Sequence, residues 1–164
     1  MPVRWIIYRI VCIIQLLAAS IVSIISLINF FQVFEIGELL RAFLFVSIFL
    51  LAILAINILN SNYPDMPVTG KQKTNFNRIF LVNFLFLVFL FGIIFAEYRE
   101  LASLAALMSR SRARLPFQLF LPVLISLIML VFQLIILYGL YVLRRELYMN
   151  FMKKQFEFEK NSAA

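Results

Sequence analysis

The sequence predicts an all-α integral membrane protein: a four-helix transmembrane bundle with short loops and a cytosolic helical C-terminal extension. Of its 164 residues, 64% are hydrophobic and only 14% are charged, whereas soluble domains are about half apolar and about a quarter charged. Four apolar runs are each about as long as the roughly 20 residues that a helix needs to cross hydrocarbon. We place the spans at about 10–34, 42–59, 79–97 and 117–143 of a single membrane domain, followed by a tail at 144–164.

The first apolar run is expected to be a retained span and not a cleaved signal peptide. It continues past residues 16–20, and no small-residue cleavage site followed by polar sequence interrupts it. Cys12 follows Arg-Ile-Val, which does not resemble the small-residue box before a lipidated cysteine. We expect Cys12 to act as a small buried hydrophobic residue.

Small and polar residues of span 1 share a stripe that covers about a third of the helix circumference. Helices in lipid associate through small residues and interhelical hydrogen bonds, so this stripe predicts that span 1 is the central, least lipid-exposed helix. The alternative is that the stripe lines a polar path. The residues expected in helix packing or in such a path are Gln15, Ala19, Ser23, Ser26 and Asn29 of span 1 and Ser126 and Gln133 of span 4.

The segment 61–78 is the longest one that a bilayer would reject. Pro64 and Pro67 require helix 2 to end before Pro64, and Gly70 suits a positive-φ turn, so helix 3 is expected to start after it with Thr74 or Asn75 as N-cap. Its Gly-Lys pair is not a P-loop, because the flanks are membrane helices. Whether the segment is functional or only a turn stays open. The predicted contacts for a cytosolic partner are Asp65, Lys71, Lys73, Arg144 and Arg145.

Spans 3 and 4 are flanked by segments that can meet the membrane surface. Gly92 in the phenylalanine-rich span 3 is expected to allow one close backbone approach. The segment after span 3 predicts a short interfacial helix, and the alternative is a solvated charged loop. Its expected contacts with lipid phosphates are Arg110, Arg112 and Arg114. Aromatic residues of the helical tail, among them Phe156, can dock onto the bilayer or onto a partner.

The distribution of Lys and Arg predicts the orientation. Ten of the 15 lie on the side that holds both termini and the 61–78 segment, and five lie on the opposite side. The positive-inside rule then places both termini in the cytoplasm. Size and the lack of an organelle signal favour the inner, or plasma, membrane of a bacterium.

Several function classes are disfavoured by what the chain lacks. It has no histidine and one cysteine, so it lacks the usual metal and haem ligand, the usual general base and any cysteine pair. We therefore predict no cofactor and no metal site, and no nucleic acid as a partner. No charged residue lies in the interior of a predicted span, since Glu97 is the last residue of span 3, and this disfavours proton-coupled export by the mechanism of small four-span exporters.

Two functional hypotheses follow. The first is a non-enzymatic accessory, scaffolding or assembly subunit that lies in the lipid bilayer and acts through helix packing and its loop and tail, as a homo-oligomer or with another membrane protein. The alternative is an oligomeric transporter or channel with a polar path lined by span 1. That path would run between protomers and use Gln15, Ser23, Asn29, Asn83 and Gln133. Lipid handling at the arginine cluster around Arg112 is a third, weaker hypothesis. An enzyme would have only Glu97, Glu100 and Asp65 as carboxylates near an interface.

Overall fold

The computed structural model describes residues 1–34, 36–110 and 120–162, and the backbone only at 107–110, 122 and 162. Its helices are α1 (Val3–Val33), α2 (Ile36–Asn62), α3 (Gly70–Arg110) and α4 (Leu121–Ser162), and the described ranges contain no strand. All four helices are long and apolar enough to cross a membrane. The predicted all-α, four-helix membrane fold is confirmed, and a lipid bilayer is the environment that such helices fit.

The helices form an antiparallel bundle in which neighbours in sequence are neighbours in space. α2 and α4 each contact the other three helices, whereas α1 and α3 pack mainly against α2 and α4. Seen in cross-section, the four helices therefore lie at the corners of a square, and α2 and α4 contact each other across one diagonal. Its terminal end, as we call it, holds the N-terminus, the 63–69 loop and the point where α4 leaves the bundle, and its opposite end holds the α1–α2 turn.

The most buried helix is α2, so the prediction that span 1 is central is wrong. In the most apolar window of each helix, 56% of the α2 residues are buried, against 28% for α1. A polar stripe shows only that a helix has one packing face, and the isoleucine-rich face of α1 points outward. α2 instead carries small buried residues, among them Ala42, Ala52 and Ala55, which allow close approach of its neighbours.

The turn between α1 and α2 is short, because α1 ends at Val33 and α2 starts at Ile36. Phe34 ends α1 in the left-handed conformation with φ of 52°, and its N–H donates to the Phe30 carbonyl at 2.7 Å. This is the helix-capping arrangement that usually selects glycine. Glu35 lies outside the described residues, and α2 starts at Ile36.

The link between α2 and α3 is shorter than the sequence indicated. α2 ends at Asn62, before Pro64 as predicted, but α3 starts at Gly70, whose φ is not positive. Thr69 precedes it in a capping box: the Thr69 N–H donates to Oε1 of Gln72 at 2.9 Å, and the Gln72 N–H donates to Oγ1 of Thr69 at 3.4 Å. The expectation of an N-cap at Thr74 or Asn75 is therefore wrong.

As far as Arg110, the segment after span 3 is neither a separate interfacial helix nor a loop. α3 continues without a break to Arg110, about 20 Å past Glu97 at a rise of about 1.5 Å per residue. The Arg110 side chain and the whole of Arg112 and Arg114 lie outside the described residues. Their expected contact with lipid phosphates stays a prediction.

α4 is also one continuous helix and runs to Ser162. We call its last part, residues 144–162, the C-terminal arm. At about 1.5 Å per residue the arm extends about 28 Å beyond Leu143, the last residue of the uncharged run. The predicted C-terminal extension is thus helical.

The close backbone approach occurs at Gly139 of α4 and not at Gly92 of α3. The ring of Tyr8 lies directly over Gly139, where an added Cβ atom would overlap with it, and nothing lies within 4 Å of a Cβ added at Gly92. The Tyr8 hydroxyl donates to the Ile136 carbonyl at 3.0 Å. Tyr8 therefore fixes α1 against α4 by both packing and a buried hydrogen bond.

Candidate functional site

A layer of amide side chains crosses the bundle interior. Nε2 of Gln133 donates to Oδ1 of Asn83 at 2.6 Å. Nδ2 of Asn83 donates to two carbonyls, that of Ser47 at 3.0 Å and that of Ile79 at 2.9 Å. These bonds connect α4 to α3 and α3 to α2, where water cannot compete for the same groups.

Gln15 adds α1 to the same layer. Its Nε2 donates to the Met129 carbonyl at 3.2 Å, one turn of α4 away from Gln133. The exposed fraction is 0% for Gln15 and Asn83 and 1% for Gln133. We call Gln15, Ser47, Asn83 and Gln133 the polar layer. It joins all four helices, and within the described residues only Oε1 of Gln15 and Oε1 of Gln133 remain without hydrogen-bond partners in it.

The other residues of the predicted stripe do not join this layer. Ala19, Ser23 and Ser26 are buried on α1, and Oγ of Ser23 donates to the Ala19 carbonyl of its own helix at 2.7 Å. Asn29 is only partly buried. Ser126 is partly buried and lines a separate cavity of about 280 Å³ near the opposite end. The structure thus brings Gln15 and Gln133 of the predicted set to one level.

The aromatic residues of α1 form a clamp at the terminal end. Nη2 of Arg4 pairs with Oε2 of Glu146 at 2.7 Å, and Nε1 of Trp5 donates to Oε1 of the same carboxylate at 3.4 Å. The Trp5 ring packs edge-on against Tyr8, with 5.5 Å between ring centroids. Burial, followed by the Glu146 carboxylate, raises the pKa of the Tyr63 phenol above its ordinary value.

Hydrogen bonds from the Asn62 side chain, at the end of α2, fix the conformation of the 63–69 loop. The buried Nδ2 of Asn62 donates to the Met66 carbonyl at 3.4 Å and to the Pro67 carbonyl at 3.3 Å. Oδ1 of Asn62 accepts from Nε2 of Gln72, also at 3.4 Å, which connects the loop to the capping box of α3. One amide therefore holds both ends of the loop.

The C-terminal arm holds the loop from outside. Nδ2 of Asn150 donates to the Pro64 carbonyl at 2.7 Å, and Lys154 forms an ion pair with Asp65. We call the 63–69 loop and the C-terminal arm together the loop–arm platform. The platform consists of residue types that are common on protein surfaces. No local sequence pattern indicates that Asn150 and Lys154 reach the loop.

Replacing Asn62 with alanine is expected to loosen the loop. Losing a buried amide that bonds to both loop carbonyls costs about 1–2 kcal/mol of local stability, which increases the population of the open loop about tenfold. Tryptic cleavage after Lys71 and Lys73 in detergent should speed up by that factor. Asn60→Ala, a change at an exposed position two residues earlier, should leave the rate unchanged, and equal acceleration in both variants would contradict the role of Asn62.

The predicted partner contacts separate into three environments. Asp65 is already paired with Lys154 inside the loop–arm platform. Lys71 is exposed in the first turn of α3. Lys73, Arg144 and Arg145 line one groove between α3 and α4. The structure does not show a partner at any of the three.

Comparison of the chain with protein-family models, with curated proteins and with solved structures finds no significant match. Within the described ranges, no three Cys, Asp or Glu side chains lie together as a set of metal ligands. The function must therefore be inferred from the polar layer, the loop–arm platform and the surfaces beside them.

Proposed function

We propose that this protein is a non-enzymatic accessory, scaffolding or assembly subunit that binds another protein through its loop–arm platform. The observation that carries this proposal is the exposure of two aromatic rings on the arm: Phe156 is 74% exposed and Phe158 is 76% exposed. Phe156 lies about 20 Å beyond Leu143 along α4. The headgroup region extends only about 6 Å from the hydrocarbon on each side.

An arm that continues the axis of α4 therefore carries these rings past the lipid and into water. Isolated exposed apolar residues are common, but these two phenylalanines lie far beyond the hydrocarbon and point about 200° apart around the helix. Each side of the arm therefore presents one apolar ring, and a protein partner that surrounds the arm can bury both. The bonds from Asn150 and Lys154 to the loop fix the base of the arm. A fixed base lowers the entropy cost of binding through the tip.

The polar layer supports association over transport. Nδ2 of Asn83 uses its two hydrogens on the Ser47 and Ile79 carbonyls, and its Oδ1 accepts from Gln133. A path for solutes through this level would have to break interhelical bonds that hold three helices together. The amides thus serve better as packing groups than as a lining.

We place the loop–arm platform on the cytoplasmic side of a bacterial inner membrane. Its side of the bundle carries ten of the 15 Lys and Arg residues, and the positive-inside rule favours that orientation. Cysteine-accessibility labelling of Asn161→Cys, an exposed position near the end of the arm, with Cys12 replaced by alanine, tests this assignment in intact cells. A membrane-impermeant thiol reagent should leave the new cysteine unlabelled until the cells are opened, and labelling in intact cells would reverse the orientation.

Replacing both Phe156 and Phe158 with serine is expected to abolish recovery of a stoichiometric partner. Lysine cross-linking in native membranes, with Lys71, Lys153 and Lys160 as handles, followed by mass spectrometry and mild-detergent pull-down, makes the measurement. The Gln32→Ser variant alters an exposed position at the opposite end of the bundle, outside the loop–arm platform, and should keep the partner. A wild-type protein that is strictly monomeric and recovers no partner contradicts the proposal.

The alternative function is an oligomeric transporter or channel. The buried Oε1 atoms of Gln15 and Gln133 favour it, because they leave two acceptors inside the bundle without hydrogen-bond partners among the described residues. Flux of ions or lipophilic cations in reconstituted liposomes above that of empty liposomes, lost in Gln15→Leu, would support this alternative. Equal flux in protein-containing and empty liposomes would exclude it.

A further inference from the structure

We propose that a groove between α3 and α4, at the terminal end of the bundle, binds the headgroup of one anionic phospholipid of the surrounding bilayer. The groove is a cavity of about 810 Å³ that opens to the outside of the bundle. It is distinct from the loop–arm platform to which we assign partner binding. We call it the α3–α4 groove, and the residues argued to form it are Lys73, Phe76, Phe80, Tyr141, Arg144 and Arg145.

The charge of the α3–α4 groove suits a phosphate. Lys73, Arg144 and Arg145 line it, and no carboxylate is among its lining residues. The two acidic side chains at the base of the arm and in the loop are engaged elsewhere: Glu146 pairs with Arg4, and Asp65 pairs with Lys154. Basic pockets between membrane helices are the usual sites for anionic headgroups.

One of these cations is held in place before any ligand arrives. Nη1 of Arg144 donates to Oδ1 of Asn77 at 3.0 Å, and its guanidinium lies 5.0 Å from the centre of the Phe76 ring. Asn77 occupies one edge of the Arg144 guanidinium, and Phe76 covers one of its faces. The remaining N–H groups stay available for phosphate oxygens, which arginine can bind in pairs.

The position of the α3–α4 groove relative to the membrane favours a lipid over a soluble anion as its occupant. Lys73 and Arg144 lie just outside the uncharged runs of α3 and α4, which begin at Ile79 and end at Leu143. Phe80, Leu81 and Tyr141 continue the groove from these cations into the uncharged runs. A phosphate beside the cations would therefore place acyl chains along these apolar side chains. A free phosphate would leave that half of the groove unused.

The floor of the groove is preformed by aromatic rings. Phe76 is buried, and its ring stacks on that of Phe80 with 5.6 Å between centroids and 12° between planes. Tyr141 and Tyr148 stand at the outer wall with 58% and 59% exposure. Tyrosine is enriched at the headgroup level because one end of its side chain is apolar and the other is polar.

The test uses the full-length protein in neutral detergent and measures retained lipid by native mass spectrometry. Phosphatidylglycerol is the anionic probe, phosphatidylcholine the neutral one and inorganic phosphate the soluble competitor. We expect one bound phosphatidylglycerol and about 100-fold weaker binding in the Lys73→Gln, Arg144→Gln, Arg145→Gln variant, since each cation near a membrane surface contributes about a factor of five.

A matched control removes the same charge from the same end of the molecule. The Lys71→Gln, Lys153→Gln, Lys160→Gln variant changes three exposed cations that do not line the α3–α4 groove, and it should bind phosphatidylglycerol as the wild type does. Equal weakening in both variants would mean that net charge, and not this groove, attracts lipid. Equal retention of phosphatidylcholine, or displacement by inorganic phosphate, would also overturn the proposal.

A second measurement avoids dependence on a folded variant. Wild-type protein in vesicles that contain phosphatidylglycerol with a photoreactive group in one acyl chain should be labelled in residues 80–84 and 137–141, where the groove continues into the uncharged runs. Labelling spread evenly over the outward faces of all four helices would overturn the proposal. Both measurements use the purified protein alone, so failure of partner binding would not affect their outcome.

Discussion

Replacing Gly139 with alanine is expected to cause a large loss of stability in this bundle. The new Cβ would overlap with the ring of Tyr8, which is buried and held by its hydroxyl bond to the Ile136 carbonyl. Overpacking of this kind costs about 1–3 kcal/mol. The unfolding free energy in mixed detergent and SDS micelles should fall by that amount, because α1 must move away from α4.

The matched control is the same substitution at Gly92. A Cβ added there has nothing within 4 Å, and alanine in a helix interior is better than glycine by up to about 1 kcal/mol. Gly92→Ala should therefore leave the unfolding free energy unchanged or raise it. If both variants lost stability equally, the glycines would act through helix propensity or the micelle, and the Tyr8–Gly139 contact would not be the cause.

Replacing Asn83 with leucine is the second change with a large expected effect. It removes the hydrogen bonds to the Ser47 carbonyl and from Gln133 that join three helices. Interhelical hydrogen bonds in membrane proteins average about 0.6 kcal/mol and reach about 1.7 kcal/mol. The buried Gln133 amide left without an acceptor adds a further cost. Together these predict a loss of about 2 kcal/mol in the same unfolding assay.

Asn29→Leu separates this effect from the general removal of an amide. Asn29 is partly buried and makes no side-chain hydrogen bond within the described part of the chain, so the substitution should change stability by less than about 0.5 kcal/mol. A double-mutant cycle of Asn83→Leu with Gln133→Leu should give a coupling energy of about 1 kcal/mol. Strict additivity of the two changes would show that the 2.6 Å contact contributes nothing.

The sequence predicted the fold class because hydrocarbon permits so few structures. Uncharged runs about 20 residues long must form helices in lipid, and the short links between them force antiparallel neighbours. The order of burial could not be predicted in the same way. α1 has the visible polar stripe, yet α2, with small residues such as Ala52 and Ala55 on its contact faces, occupies the centre. The burial of a helix depends on which other helices surround it. The residue pattern of that helix alone does not contain this information.

The candidate site was only partly predictable. Helical spacing selected Gln15 and Gln133, whose amides lie in the polar layer, but Ser47 contributes a backbone carbonyl that no side-chain pattern marks. The capping box was present in the sequence as Thr69 and Gln72. Gly70, however, favours the prediction of a turn at the place where the helix in fact begins.

Tyr8 and Gly139 illustrate the limit of local sequence patterns. Neither residue is unusual on its own helix. A tyrosine near a helix end is typical of an interface anchor, and Gly139 lies in one helical turn with two tyrosines. Their contact depends on the relative height of α1 and α4 in the bundle. That height is set by all the interhelical bonds together, among them the bond from Gln15 to the Met129 carbonyl.

The polar layer also has a consequence for how the chain is made. The interhelical bonds of Tyr8 and Gln15, and the one that Asn83 accepts, all involve residues of α4, which leaves the ribosome after the other three helices. Until α4 arrives, the first three helices hold these polar groups at membrane depth without their final acceptors or donors. Release from the insertion machinery should therefore await α4, and a nascent chain arrested before residue 120 should remain associated with that machinery.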